Sequence, residues 1–89
     1  MEKNKHFFYV LKCVDDTLYA GYTNDLEARI STHNSGKGAK YTRGRLQVEC
    51  IHFEVFESKR IAMQKEYEFK QWPRKKKNQY IKEMNCRAR

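Results

Sequence analysis

A dense apolar run over residues 6–14 (HFFYVLKCV) gives way to two acids, Asp15-Asp16, and resumes over residues 17–22 (TLYAGY). Aromatic and β-branched residues on either side of a polar turn predict a β-hairpin. The spacing then becomes helical, with Leu26, Ile30 and His33 on one face. Asn24 stands at the N-cap position, Glu27 follows at capping-box spacing, and residues 34–36 close the helix. The glycine-rich stretch 36–45 reads as a loop. Alternation returns over residues 48–57, where Val48, Cys50, His52, Glu54 and Phe56 oppose Ile51, Phe53 and Val55. Apolar residues on both faces predict a strand covered by helix on at least one side. Ser58 caps a further helix whose stripe is Ile61, Ala62 and Phe69, with Trp72 close by. Pro73 breaks or restarts the chain. Residues 75–84 predict a short last helix packing through Tyr80, Ile81 and Met84.

The predicted order is β-β-α-β-α-α: a small α/β (α+β) fold with a three-stranded antiparallel sheet flanked by helices. With 89 residues the chain holds one domain, its core within residues 6–72 and a basic tail at 73–89. Hydrophobic residues at 39% and charged residues at 34% describe a globular chain rather than a disordered one. The longest apolar run is too short to span a bilayer and the first residues lack a signal pattern, so a cytoplasmic protein is expected. Cys13, Cys50 and Cys86 are odd in number and widely spaced, which argues against a disulfide framework or a zinc site.

Charge changes the picture. The net is +8, and the last 20 residues carry eight Lys or Arg against one Glu. The loop at 36–45 adds four basic residues and no acid. A polyanion suits such asymmetry, because each neutralised phosphate releases condensed counterions; a merely solvated basic face is the other reading.

Several residues fit a structural role poorly. Tyr9 and Tyr19 fall at corresponding places in the hairpin strands; cross-strand packing accounts for such a pair, but Gly21 beside Tyr19 also marks close approach by a ligand or backbone. Arg29 and His33 are four apart on the first helix, with Arg29 at the border of its buried face, suited to bidentate phosphate contact. Glu66 lies within the apolar stripe of its helix and so requires a cation, either a basic side chain, as in an Arg29–Glu66 core pair, or a metal. One carboxylate cannot form an all-protein cage, but it can hold a hydrated Mg²⁺ completed by waters and a substrate phosphate.

Phe8-Tyr9-Val10 and Tyr19-Ala20-Gly21, ten residues from tyrosine to tyrosine, resemble the two half-motifs that name the GIY-YIG nuclease superfamily. Asn24 to Ile30 with His33-Asn34 resembles the helix bearing that family's arginine, and Glu66 to Lys70 the segment bearing its metal-binding glutamate. The stretch 33–43 is similar to the small stand-alone bacterial branch. Two departures are that Phe7-Phe8 stands where the family has Gly-Ile, and Ala20 where it has Ile. An asparagine beyond the glutamate is common in the family, and spacing here offers Asn78.

The resemblance implies metal-dependent phosphodiester hydrolysis on nucleic acid, DNA rather than RNA, with low sequence specificity and a monomeric protein. Glu66 would hold Mg²⁺ (or Mn²⁺), Tyr19 would be general base with Tyr9 as hydrogen-bond partner or alternative base, and Arg29 would grip the phosphate and favour a phenolate. His33 would relay a proton or bond a phosphate. Lys37, Lys40, Arg43, Arg74, Lys75, Lys76 and Lys77 would contact the backbone. The alternatives are a nucleic-acid-binding module on the same fold with little or no cleavage, and a structural protein whose tyrosines, Arg and Glu form a core network.

Overall fold

The computed structural model describes residues 5–38 and 47–87. Its elements are β1 (His6–Lys12), β2 (Leu18–Thr23), α1 (Leu26–Asn34), β3 (Glu49–Phe56), α2 (Lys59–Lys70) and α3 (Arg74–Arg87). The strands form the three-stranded antiparallel sheet that the sequence predicts, in the spatial order β2-β1-β3. β1 is the central strand, and four of its consecutive residues, Phe8 to Leu11, are buried because helices cover both faces of the sheet.

Side chains alternate between these faces. Phe8, Val10 and Ala20 meet Phe69 of α2 and Ile81 of α3 on one. Tyr9, Leu11, Cys13 and Val48 meet Leu26 and Ile30 of α1 on the other. The hairpin turn holds Asp16 at a φ of 69° and ties Asp15 to the hydroxyl and amide of Thr17. β1 ends at Lys12 rather than Val14, and Val14 is exposed.

Three expectations are corrected. Asp25, not Asn24, is the N-cap of α1: the Thr23 hydroxyl accepts from the Asp25 amide, and the Asp25 carboxylate accepts from the Ala28 amide. The third residue beyond the cap is therefore Ala28, and no capping box forms. β3 does not keep one phase, because a register shift opposite Val10/Leu11 inserts an extra residue. His52 and Phe56 face α2 and α3 together with Ile51, while Cys50 and Val48 join the α1 side. Ile61 is exposed on the first turn of α2, so the buried stripe is Ala62 and Phe69.

Ser58 caps α2 as expected, its hydroxyl accepting from the Ile61 amide. Pro73 restarts the chain, its carbonyl accepting from the Lys77 amide, and α3 begins at Arg74. α3 is held to the sheet by a polar lock. Glu54 accepts from the Tyr80 hydroxyl, and the His52 ring lies 2.9 Å from the same carboxylate. Burial pushes the Glu54 carboxyl up, but hydrogen bonds from His52 and Tyr80 outweigh it and bring it below its ordinary value.

Candidate active site

Tyr9 sits in the middle of the central strand and is 1% exposed. Its cross-strand partner is Gly21, so Tyr19 is a diagonal neighbour on the same face, with ring centroids 6.5 Å apart. A Cβ built on Gly21 would lie 2.5 Å from Tyr9 Oη and 2.6 Å from Cζ. The close approach that the glycine marks is thus made by the Tyr9 ring, which lies flat across β2.

α1 delivers Arg29 and His33 to this ring from one helix face. Arg29 Nε donates to Tyr9 Oη at 3.5 Å, and His33 Nε2 lies 3.1 Å from the same oxygen. A guanidinium can only donate, so the Tyr9 oxygen accepts from Arg29, and it shares a second hydrogen bond with His33 Nε2. His33 is fully buried and stacks obliquely on Tyr19, with centroids 5.4 Å apart. Burial, joined by the Arg29 charge, lowers the His33 pKa, which favours a neutral ring beside Tyr9. The His33 ring has no exposed surface and stands behind Tyr9. Burial pushes the Tyr9 phenol up further than the Arg29 hydrogen bond pulls it down. The expected phenolate-favouring effect of Arg29 is therefore overridden at Tyr9, which is held as a neutral phenol.

This arrangement has a pH consequence. A histidine whose folded pKa lies below its free value of about 6.5 binds protons better unfolded. Its contribution to stability is complete above about pH 6.5 and is lost as pH falls through the folded value. Denaturation midpoints measured from pH 7.5 down to pH 5 should fall for the native chain and fall less steeply for His33→Gln. Equal slopes would refute the role given to His33.

Tyr19 is only half-buried. Arg29 is within hydrogen-bonding influence of its phenol as well as that of Tyr9. Lys70 Nζ stands 5.7 Å from the centre of its ring and 2.9 Å from Glu66 Oε2. The charge of Glu66 reaches the Tyr9 phenol. Tyr9, Tyr19, Arg29, His33 and Glu66 are thus brought together along the β2 edge, where α1 and α2 meet the sheet. The Arg29–Glu66 pair weighed from sequence gives way to two contacts, Arg29 with Tyr9 and Glu66 with Lys70. Among the described residues no group of three or more His, Cys, Asp or Glu could cage a metal. The Glu66 side chain, 18% exposed, fits a hydrated Mg²⁺ as a single protein ligand, with Lys70 as the cation that holds the carboxylate otherwise.

The basic residues are more scattered. Lys37 is exposed just beyond α1, and its neighbour Gly38 packs against His33, where an added Cβ would lie 2.8 Å from Cγ. Lys40 and Arg43 lie outside the described residues. Arg74, Lys75, Lys76 and Lys77 open α3. Arg74 lies 3.9 Å from Asp16, Lys76 sits over Trp72 at 4.4 Å, and Lys77 lies 5.4 Å from the centre of the Phe69 ring. Asn78 accepts from Arg74 Nε at 3.0 Å and does not join the tyrosine cluster. Two further residues matter that the sequence reading passed over. Lys70 was visible in its i,i+4 spacing to Glu66. Asn34 was not: its amide accepts from the Val48 amide at 2.8 Å and donates to the Val48 carbonyl, tying α1 to the entry of β3.

A family profile described as the GIY-YIG catalytic domain matches residues 5–80. The chain is 67% identical over 84 residues to a UPF0213 protein of Bacillus pumilus, covering 94% of this chain and 86% of that one. It is 63% identical to the UPF0213 protein YazA of Bacillus subtilis, covering 93% and 84%. Among solved structures, the solution NMR structure of the protein EF2693 from E. faecalis shares 47% identity at a TM-score of 0.66, covering 97% and 93%. That of the UPF0213 protein BH0048 from Bacillus halodurans shares 47% at 0.59, covering 88% and 83%.

Proposed function

This chain belongs to the GIY-YIG catalytic domain family, and from that premise we propose that it hydrolyses phosphodiester bonds of nucleic acid with the help of a divalent metal ion. The observation that carries this reading is the convergence of two phenols on one guanidinium, with a carboxylate close enough to act on the same phenol. Binding a phosphate backbone requires surface cations but no such cluster.

Arg29 grips the non-bridging oxygens of the scissile phosphate, its planar fork matching their spacing. Tyr19, the less buried phenol, takes the proton of the attacking water on its ionised Oη. Tyr9 keeps its proton and fixes Arg29, with His33 behind it. Glu66 would hold Mg²⁺ or Mn²⁺, which supplies charge neutralisation at the phosphate and the leaving 3′-oxygen. Lys37, Lys40, Arg43, Arg74, Lys75, Lys76 and Lys77 contact the backbone, which gives affinity without sequence information. The substrate is DNA in preference to RNA, cut with low sequence specificity by a monomer.

A binding module with little or no cleavage is the second reading. The Glu66–Lys70 pair favours it, because Lys70 occupies a carboxylate oxygen that a metal would use. The two tyrosines separate the readings. Tyr19→Phe should lower cleavage by about 10²–10⁴-fold, the range of a lost general base, with binding unchanged. Tyr9→Phe should cost less in rate and lower the melting temperature. Cleavage by Tyr19→Phe at the native rate would remove Tyr19 from the chemistry.

A further inference from the structure

The face of the sheet that carries Tyr9 is only partly covered by α1. Strand alternation and register place Phe7, Phe53 and Val55 on that same face, since Phe53 pairs with Tyr9 and Val55 with Phe7. Leu26 and Ile30 of α1 pack on Tyr9 and Leu11 and leave the other end open. Phe53 is 52% exposed and Val55 47% exposed. Phe7 meets Phe53 edge to face, with centroids 6.2 Å apart. An exposed phenylalanine and valine on the strand beside Tyr9 are a costly surface for a protein to present unless something lies on them.

From these contacts we infer that the Phe7–Phe53–Val55 face is a stacking platform for an unpaired base, so that the substrate carries a single-stranded or frayed segment beside the cleaved bond. The inference rests on the nucleic-acid reading above and names its substrate class. Two strand spacings separate β2 from β3, about 10 Å. That is within about three nucleotides of a strand stacked at roughly 3.4 Å per base. Bases inside a duplex have their faces covered by stacked neighbours, whereas an unpaired base can lie on an exposed aromatic ring, whatever its identity.

The surroundings select a base over other occupants. Phe7 also lines an open groove with Lys5, Asn24, Asp25, Leu26 and Glu27. The two carboxylates there disfavour a backbone phosphate, while the groove offers both donors and acceptors to the edge of a base. A second copy of the chain is disfavoured on two counts. Each copy carries a net charge of +8, and three side chains cannot supply the roughly 1,000 Å² or more that a specific interface buries.

The test is fluorescence anisotropy in chelator with labelled single-stranded, flapped and blunt duplex oligonucleotides. The native chain is compared with Phe53→Ala, Phe53→Leu and Phe53→Tyr. Loss of one stacked base should weaken single-strand and flap binding about ten- to hundredfold in Phe53→Ala and Phe53→Leu. Phe53→Tyr should keep it, and duplex binding should stay within about twofold. Unchanged single-strand binding, an equal loss on duplex, or full rescue by leucine with a concentration-dependent mass in sedimentation would overturn the platform; the last result would point to a protein partner. Cleavage with metal keeps the two proposals apart. Phe53→Ala cutting flaps as fast as the native chain, with binding unaltered, removes the platform and leaves the nuclease. A native chain that cuts nothing but shows the predicted binding pattern removes the nuclease and leaves the platform.

Discussion

Arg29→Ala should cut phosphodiester cleavage by about 10²–10³-fold while the protein stays folded. The magnitude is that of losing one preorganised group aimed at developing charge. The direction follows from the position of Arg29, half-buried with its Nε donated to Tyr9 and its guanidinium within hydrogen-bonding influence of Tyr19 as well. The Tyr9 hydrogen bond is the main reason that Arg29 holds its proton more tightly than a free guanidinium, and burial opposes it without reversing it. The charge is therefore fixed at every working pH. Arg29→Lys should not restore the rate, because an ammonium is a point donor and cannot bond Tyr9 and a phosphate in one plane. Rate measurements under single-turnover conditions, with circular dichroism to check folding, decide the matter. A lysine variant with the native rate would show that charge alone suffices.

Gly21→Ala should damage fold and site together. The new Cβ would meet Tyr9 Oη, Cζ and Cε2 at 2.5, 2.6 and 3.1 Å. The ring has no room to yield, being 1% exposed and fixed at its tip by Arg29 and His33. Either the strands part or the ring leaves its partners. Overpacking of this kind costs about 1–3 kcal/mol or more, and about 2 kcal/mol lowers Tm by about 8–16 °C in a domain of this size. Both cleavage and Tm should fall together, unlike Arg29→Ala, in which cleavage falls alone. A Gly21→Ala protein with native Tm would mean that the Tyr9 ring is not held as described.

What the sequence made legible was local. Dense apolar runs around Asp15-Asp16 defined the hairpin, and i,i+4 spacing put Arg29 and His33 on one helix face. Ser58 and Pro73 punctuated the last two helices as their chemistry demands. The misses have a common cause, which is that their partners are distant or equivalent in type. Asn24 and Asp25 are both good caps, and only the Thr23 hydroxyl decides between them. The phase of β3 depends on a bulge imposed by pairing with β1, which no alternation within residues 48–57 reveals. Asn34 reaches Val48, fourteen residues on, and Arg74 reaches back to Asp16 across the fold. In the candidate site, the tyrosines and Arg29 could be read from the motif. What could not be read was which cation holds Glu66, because Arg29 and Lys70 were both within plausible reach. That choice matters for function, since Lys70 links the carboxylate to Tyr19.

Catalysis by this chain means metal-dependent cleavage, and the most direct measurement is product formation from end-labelled nucleic acids. Single-stranded, flapped and duplex DNA, with RNA alongside, would be incubated with the native chain in Mg²⁺, in Mn²⁺ and in chelator, with Arg29→Ala as the blank. Cut DNA is expected with either metal, none in chelator, and a rate in the blank lower by about 10²–10³-fold. Intact substrates under every condition, with binding retained, would contradict the nuclease reading and leave a nucleic-acid-binding module on this fold.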